Sequence, residues 1–186
     1  MMVGEMRDQE TVEIGLRGAI TGHLVLSTLH TNDAITSALR LIDMGAAGFL
    51  VGSALRAVVA QRLVRRVCDS CAIEYQADEQ ELFWLTNLAG ERAKTTKFMQ
   101  GKGCQTCQYS GYKGRIGVFE LLEMNEGMMS ALKSNDSELF AQLAKKNPSF
   151  TPLAKAAFEY AAQGTTTVEE VLRLVETIDI SSPFDS

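Results

Sequence analysis

The chain has 186 residues, 46% of them hydrophobic and 22% charged, with a net charge of −5. That balance supports a folded core, excludes wholesale disorder, and gives no general reason to expect a nucleic-acid partner. No apolar run reaches the roughly 20 residues a membrane-spanning helix needs, and the N-terminus lacks the basic region and long apolar core of a signal peptide.

Met1-Met2-Val3-Gly4-Glu5 reads as the end of an apolar strand whose beginning is missing, so the chain is expected to be a fragment. Apolar spacing over residues 8–21 predicts a helix ended by Gly22. Residues 23–29 are rich in strand formers and predict a buried strand. Thr31, Asn32 and Asp33 are N-cap candidates for a helix over 34–44 that stops at Gly45. A long helix is predicted over 49–67. The order strand, helix, strand, helix, helix predicts an α/β fold with parallel strands and crossover helices. Further on, helical patterns cover 79–88, 126–133, 137–146, 152–163 and 168–177, with a strand over 115–122. Thr167 and Glu170 are spaced as a capping box for the last helix. A frayed tail is expected at Ser181-Ser182-Pro183.

Four cysteines form two C-x-x-C pairs, Cys68/Cys71 and Cys104/Cys107. Without a secretion signal, tight pairs point to a reducing compartment and a metal. Two such turns aim four thiolates at one ion, which fits a structural Zn²⁺ and leaves no open catalytic position. The alternatives are two disulfides or four free buried thiols. Arg56, Arg62, Arg65 and Arg66 cluster just before the first pair. They read either as a solvated helix face or as a docking surface for phosphate or an acidic partner.

Polar groups also fall at predicted strand ends. Glu5 follows the first strand, where open α/β sheets place chemistry; there it can polarise a water or help place Mg²⁺ through water. The alternative is an ordinary loop carboxylate. The only two histidines, His23 and His30, bracket the second strand, about 23 Å apart if fully extended, and are not expected to share a metal. His30, with Thr31 and Asn32, lies at the edge Glu5 occupies if the strands are parallel. It is the better site candidate, with His23 structural.

Together these segments resemble a known family, the secretion ATPases that drive type II secretion and type IV pilus assembly. Gly4-Glu5-Met6-Arg7-Asp8 is similar to its Walker B region, and residues 21–32 to its His box. Residues 60–68 resemble the approach to its tetracysteine motif, 114–122 the strand that follows, and 164–173 its C-terminal signature. The tetracysteine motif is typical of the export and assembly branch, and pilus retraction motors generally lack it. The P-loop pattern G-x-x-x-x-G-K-[ST] is absent from the sequence. The resemblance therefore implies the C-terminal part of a motor.

It also implies a partial RecA-like P-loop NTPase core carrying an inserted tetracysteine zinc subdomain and a C-terminal helical region. The expected divisions are residues 1–67, 68–112 and 113–178, with a tail over 179–186. The intact protein is expected to be a cytoplasmic homo-hexamer hydrolysing ATP with Mg²⁺. Its expected partners are inner-membrane platform and cytoplasmic-ring proteins. Glu5 and His30 would be catalytic. Arg7, His23 and Asn32 would contribute to the nucleotide site, and Cys68, Cys71, Cys104 and Cys107 would hold zinc. The fragment alone is expected to be inactive. The alternative is a zinc-stabilised module that docks a partner without catalysis. A nucleic-acid-binding zinc protein is disfavoured by the acidic balance and the lack of interleaved basic and aromatic residues.

Overall fold

The computed structural model describes residues 1–180, with side chains through Val175; the tail expected at residues 181–183 lies outside the described residues. The chain divides into two compact units, Met1–Ala60 with Glu120–Phe150, and Gln61–Phe119 with the chain from Thr151 onward.

The first unit begins with two extended parallel segments. Leu26 N–H donates to Met1 O at 3.1 Å, Val3 N–H to Leu26 O at 2.9 Å, and Met6 N–H to Thr28 O at 3.1 Å. Helix α1 (Gln9–Ile20) crosses between them and buries Val12 and Leu16. Asp8 caps it by accepting from Thr11 N–H at 2.8 Å. Gly22, at φ +99°, turns the chain into the second segment. That segment differs from the buried strand expected there, because Leu24 and Leu26 are exposed. Alternation puts Val25 over Gly15 and Gly18 of α1, and no second layer covers the opposite face among the described residues.

Helix α2 (Ala34–Asp43) is capped by Asp33 and buries Ala34, Ser37, Ala38 and Leu41, an i, i+3, i+4, i+7 stripe. Helix α3 (Gly48–Ala54) lies against α6 (Glu126–Lys133), with α7 (Ser137–Lys145) beyond it. Backbones touch at this contact. A Cβ at Gly48 would sit 2.2 Å from Leu132 O, and one at Gly52 2.5 Å from Met129 O.

The helix expected over 49–67 is corrected. It stops at Ala54, and β1 (Ala57–Val67) follows, paired with β4 (Tyr112–Glu123). Met124 N–H donates to Arg56 O at 2.9 Å and Cys68 N–H to Gly111 O at 2.9 Å, so the pair is antiparallel. Along β1, Ala60 and Val64 are buried while Val59 and Leu63 are exposed. Apolar residues four apart fit a helix face and also one side of a strand; pairing with a distant segment decides between them. The arginines are therefore not on a helix face: Arg62, Arg65 and Arg66 lie on β1 and Arg56 just before it.

In the second unit, β2 (Ala72–Tyr75) pairs antiparallel with β3 (Phe98–Gly101), Ala72 opposite Gly101 and Tyr75 opposite Phe98. Helices α4 (Glu79–Ala89) and α5 (Arg92–Thr95) fill the connection. Helices α8 (Leu153–Ala162) and α9 (Val168–Ile180) pack together, and Phe158 meets Phe98 edge-on at 6.0 Å. The expected capping box at α9 is half made. Thr167 Oγ1 accepts from Glu170 N–H at 3.3 Å. The Glu170 carboxylate instead takes Arg65 Nε at 2.9 Å and the Arg65 backbone N–H at 2.7 Å. Arg65 also stacks on the Tyr112 ring at 3.9 Å. Both rings of the Phe98–Phe158 contact are buried. Phe158→Ala is expected to cost about 3–5 kcal/mol in urea unfolding, and exposed Phe83→Ala less than about 1 kcal/mol.

Candidate functional sites: an acid–histidine pair and a tetrathiol cluster

Because the two opening segments run parallel, their carboxyl ends face the same way. Glu5 follows one and His30 the other. His30 Nε2 lies 2.9 Å from Glu5 Oε1, and Arg7 donates to Glu5 Oε2 at 2.6 Å. The Glu5 side chain is 20% exposed; those of Arg7 and His30 are 75% and 87% exposed. Thr28 Oγ1 donates to Gly4 O at 2.8 Å and fixes the chain just before the acid. Glu5, Arg7, His30 and Arg40 line a shallow cleft of about 270 Å³ in the first unit.

His23 sits at the other end of its segment. Its Nδ1 is 3.3 Å from both Gly18 O and Thr21 Oγ1, so it closes the C-terminus of α1. Asn32 is exposed, immediately before the Asp33 cap of α2. Arg40 was missed from the sequence, where it reads as the usual basic residue in a helix's last turn. Glu120 was missed too: the residue is 2% exposed, and its side chain accepts the Ala34 N–H. The available signal was an acid inside the apolar run Val118-Phe119-Glu120-Leu121-Leu122.

The hydrogen bond from Arg7 holds the Glu5 carboxyl below its ordinary 4.5; partial burial opposes this, and the charges of Arg7 and His30 reinforce it. A depressed carboxyl stabilises the fold above pH 4.5, and that contribution disappears as pH falls through the depressed value. Arg7→Ala is expected to raise the Glu5 midpoint toward 4.5, read by carboxyl carbon NMR. An unmoved midpoint contradicts the pairing.

In the second unit the four thiols come together. Their sulfurs all lie within 4.8 Å of one another. Cys68–Cys104 is 4.0 Å, Cys71–Cys107 3.8 Å and Cys104–Cys107 3.8 Å. A disulfide requires about 2.05 Å, whereas sulfurs about 2.3 Å from one tetrahedral ion stand roughly 3.8 Å apart. The cluster therefore has the donor set and spacing of a tetrahedral metal site. Backbone N–H groups of Gly103, Cys104 and Gly111 point at Cys71, Cys107 and Cys107 sulfurs at 3.3, 3.2 and 3.3 Å. Burial opposes the charged form of Cys107, yet the N–H groups of Cys104 and Gly111 outweigh it and bring the thiol down to about 6. Burial pushes Cys71 up to about 12 despite Gly103 N–H. Gly101 and Gly111 make the knuckles possible, since a Cβ on Gly101 would sit 1.9 Å from Gly111 O.

The fold is shared with part of two ATPases of known structure. The pilus retraction motor PilT with bound ADP superposes with a TM-score of 0.60, at 24% identity, over 93% of this chain and 38% of that one. The Legionella pneumophila ATPase DotB gives 0.62, at 18% identity, over 95% and 38%.

Residues 1–173 match the family model described as "Type II/IV secretion system protein", and the chain belongs to that family. Type II secretion system protein E of Pseudomonas aeruginosa is 42% identical over 176 residues, 94% of this chain and 34% of that protein. The type IV pilus assembly ATPase TfpB of Acinetobacter baylyi is 41% identical, covering 94% and 30%. The type IV pilus assembly ATPase PilB of Thermus thermophilus is 40% identical, covering 92% and 19%. The chain thus spans about a third or less of these curated relatives' length. Among the described residues, no helix is long and apolar enough to cross a membrane.

Proposed function

We propose that this chain carries the acid–histidine part of the ATP-hydrolysing site of a type II secretion or type IV pilus assembly motor. The observation that carries this is the 2.9 Å Glu5–His30 pair at the shared carboxyl ends of two parallel segments, inside a family match over residues 1–173. Support also comes from relatives at about 40% identity named as secretion proteins and pilus assembly ATPases.

Glu5 is held ionised by Arg7 and is oriented by His30, so it can accept a hydrogen bond from an attacking water and fix its direction. His30 lines the cleft, and its ring would approach the terminal phosphate of a nucleotide bound there. Arg7 would neutralise phosphate charge or meet a neighbouring subunit, a role its 75% exposure supports. Asn32 lies at the same edge, while His23 supports the segment from its far end. A magnesium ion bound with the nucleotide would neutralise phosphate charge, and Glu5 is the carboxylate able to reach it through water. The whole motor works as a cytoplasmic homo-hexamer that acts on inner-membrane platform and cytoplasmic-ring proteins.

The phosphate cradle is not in this sequence. The chain alone is expected to show no magnesium-dependent ATP turnover. In a longer protein with the P-loop, Glu5→Gln is expected to lower kcat by at least about 100-fold, with nucleotide affinity changed less than about threefold. Near-normal kcat in that variant would remove Glu5 from the chemistry.

The tetrathiol cluster holds one structural Zn²⁺ through Cys68, Cys71, Cys104 and Cys107. Bound there, the ion supplies cross-linking of the two knuckles and no chemistry on substrate. Native mass spectrometry is expected to give one zinc per chain, and chelation is expected to reduce ordered structure by circular dichroism. Metal-free protein carrying disulfides sinks this assignment. A docking role for the same lobe is favoured by Phe83, 61% exposed on α4 beside the sole tryptophan, Trp84.

A further inference from the structure

The His30 ring is 87% exposed, so side-chain packing does not fix it. Its position beside Glu5 follows from the backbone on both sides: the parallel pairing that ends at Thr28, and the turn that leads from residue 30 into α2. Local bonds shape that turn. Asp33 Oδ1 accepts from Thr36 N–H at 2.7 Å, Ser37 Oγ donates to Asp33 O at 2.6 Å, and the Thr31 and Ser37 hydroxyls are hydrogen-bonded. All these groups lie within residues 31–37. They give the turn its form without tying it to the rest of the unit.

A tie to another element comes from β4. The Ala34 N–H is among the first four of α2, which no helical carbonyl can satisfy. It donates to Glu120 Oε1, from a residue 86 positions later. Glu120 is 2% exposed and lies between Val118 and Leu122, both fully buried. A carboxylate in such a place costs free energy that an aliphatic side chain would not. Its bond to a helix N-terminus offsets part of that cost, since negative charge is favoured there.

We propose that Glu120 is a positioning residue for the Glu5–His30 pair, acting through the Ala34 N–H at the start of α2. The catalytic consequence rests on the proposed role of that pair in hydrolysis. The geometric part does not.

Two substitutions separate reach from the chemical nature of the acceptor. Glu120→Gln keeps the length and an acceptor oxygen. Glu120→Asp keeps the carboxyl group but withdraws it by about 1.5 Å. Hydrogen exchange at the Ala34 amide is expected to stay near wild type in E120Q and to accelerate at least about tenfold in E120D. The second readout is the shift of the His30 ring resonance on Glu5→Gln, with His23, the only other histidine, as internal control. That shift is expected to persist in E120Q and to fall at least about twofold in E120D, while His23 stays unmoved.

Equal exchange in E120D and E120Q, or faster exchange in E120Q alone, overturns the proposal. So does a His30 response that survives intact in E120D. If E120D fails to fold by circular dichroism, Ala34→Pro replaces it. That change removes the donor at the first helical position, where proline is tolerated, and the same loss of His30 response is expected. ATP turnover of the corresponding variant in a longer, P-loop-containing protein separates the two levels. Lost His30 coupling with unchanged turnover removes the hydrolysis role and leaves the positioning role standing.

Discussion

The parallel hydrogen bonding between residues 1–6 and 24–28 is the constraint from which the candidate nucleotide edge follows. A parallel pair needs a crossover, and α1 supplies it. Once both segments point the same way, Glu5 and His30 must emerge at one edge, and α2 must leave from there. An antiparallel pairing of the same residues would put His23 beside the acid instead. The one-sided burial of the second segment belongs to the same geometry, with Val25 over α1 and Leu24 and Leu26 outward.

The second unit is organised by a different constraint, the approach of two knuckles far apart in sequence. The β2–β3 pairing aligns Ala72 with Gly101, and Gly101 in turn meets Gly111 backbone to backbone. Only residues without a Cβ permit that approach. Four thiols then stand at separations suited to one ion, with N–H groups already aimed at two of the sulfurs. In the same unit the Arg65 side chain joins β1 to the start of α9 through Glu170 and stacks on Tyr112 of β4. An arginine cluster that invited a docking interpretation thus has at least one member in structural use.

Helices were legible where capping and periodicity agreed. Asp8 before α1, Asp33 before α2 and the stripes at i, i+3, i+4 and i+7 are local features that need no partner. The four cysteines were legible because C-x-x-C spacing is a local geometry too. The stretch 57–67 was not, since Ala60, Val64 and Val67 suit either a helix face or a paired strand. Nor was Glu120, whose sequence neighbours show an acid in an apolar strand but not the helix start it meets.

By itself the sequence determined the boundaries of most helices, α3 and the short α5 excepted, together with the family and the candidate acid, histidines and thiols. These depend on interactions within a few residues, or on motif spacing. Tertiary structure alone decided that Glu5 pairs with His30 while His23 closes α1, that 57–67 is a strand, and that Glu170 serves Arg65 before its own helix cap. It also brought Arg40 to the cleft and Glu120 to Ala34. Except for the closure of α1 by His23, each of these is a contact between segments remote in the chain. Its free energy arises from burial and hydrogen bonding that no local pattern encodes.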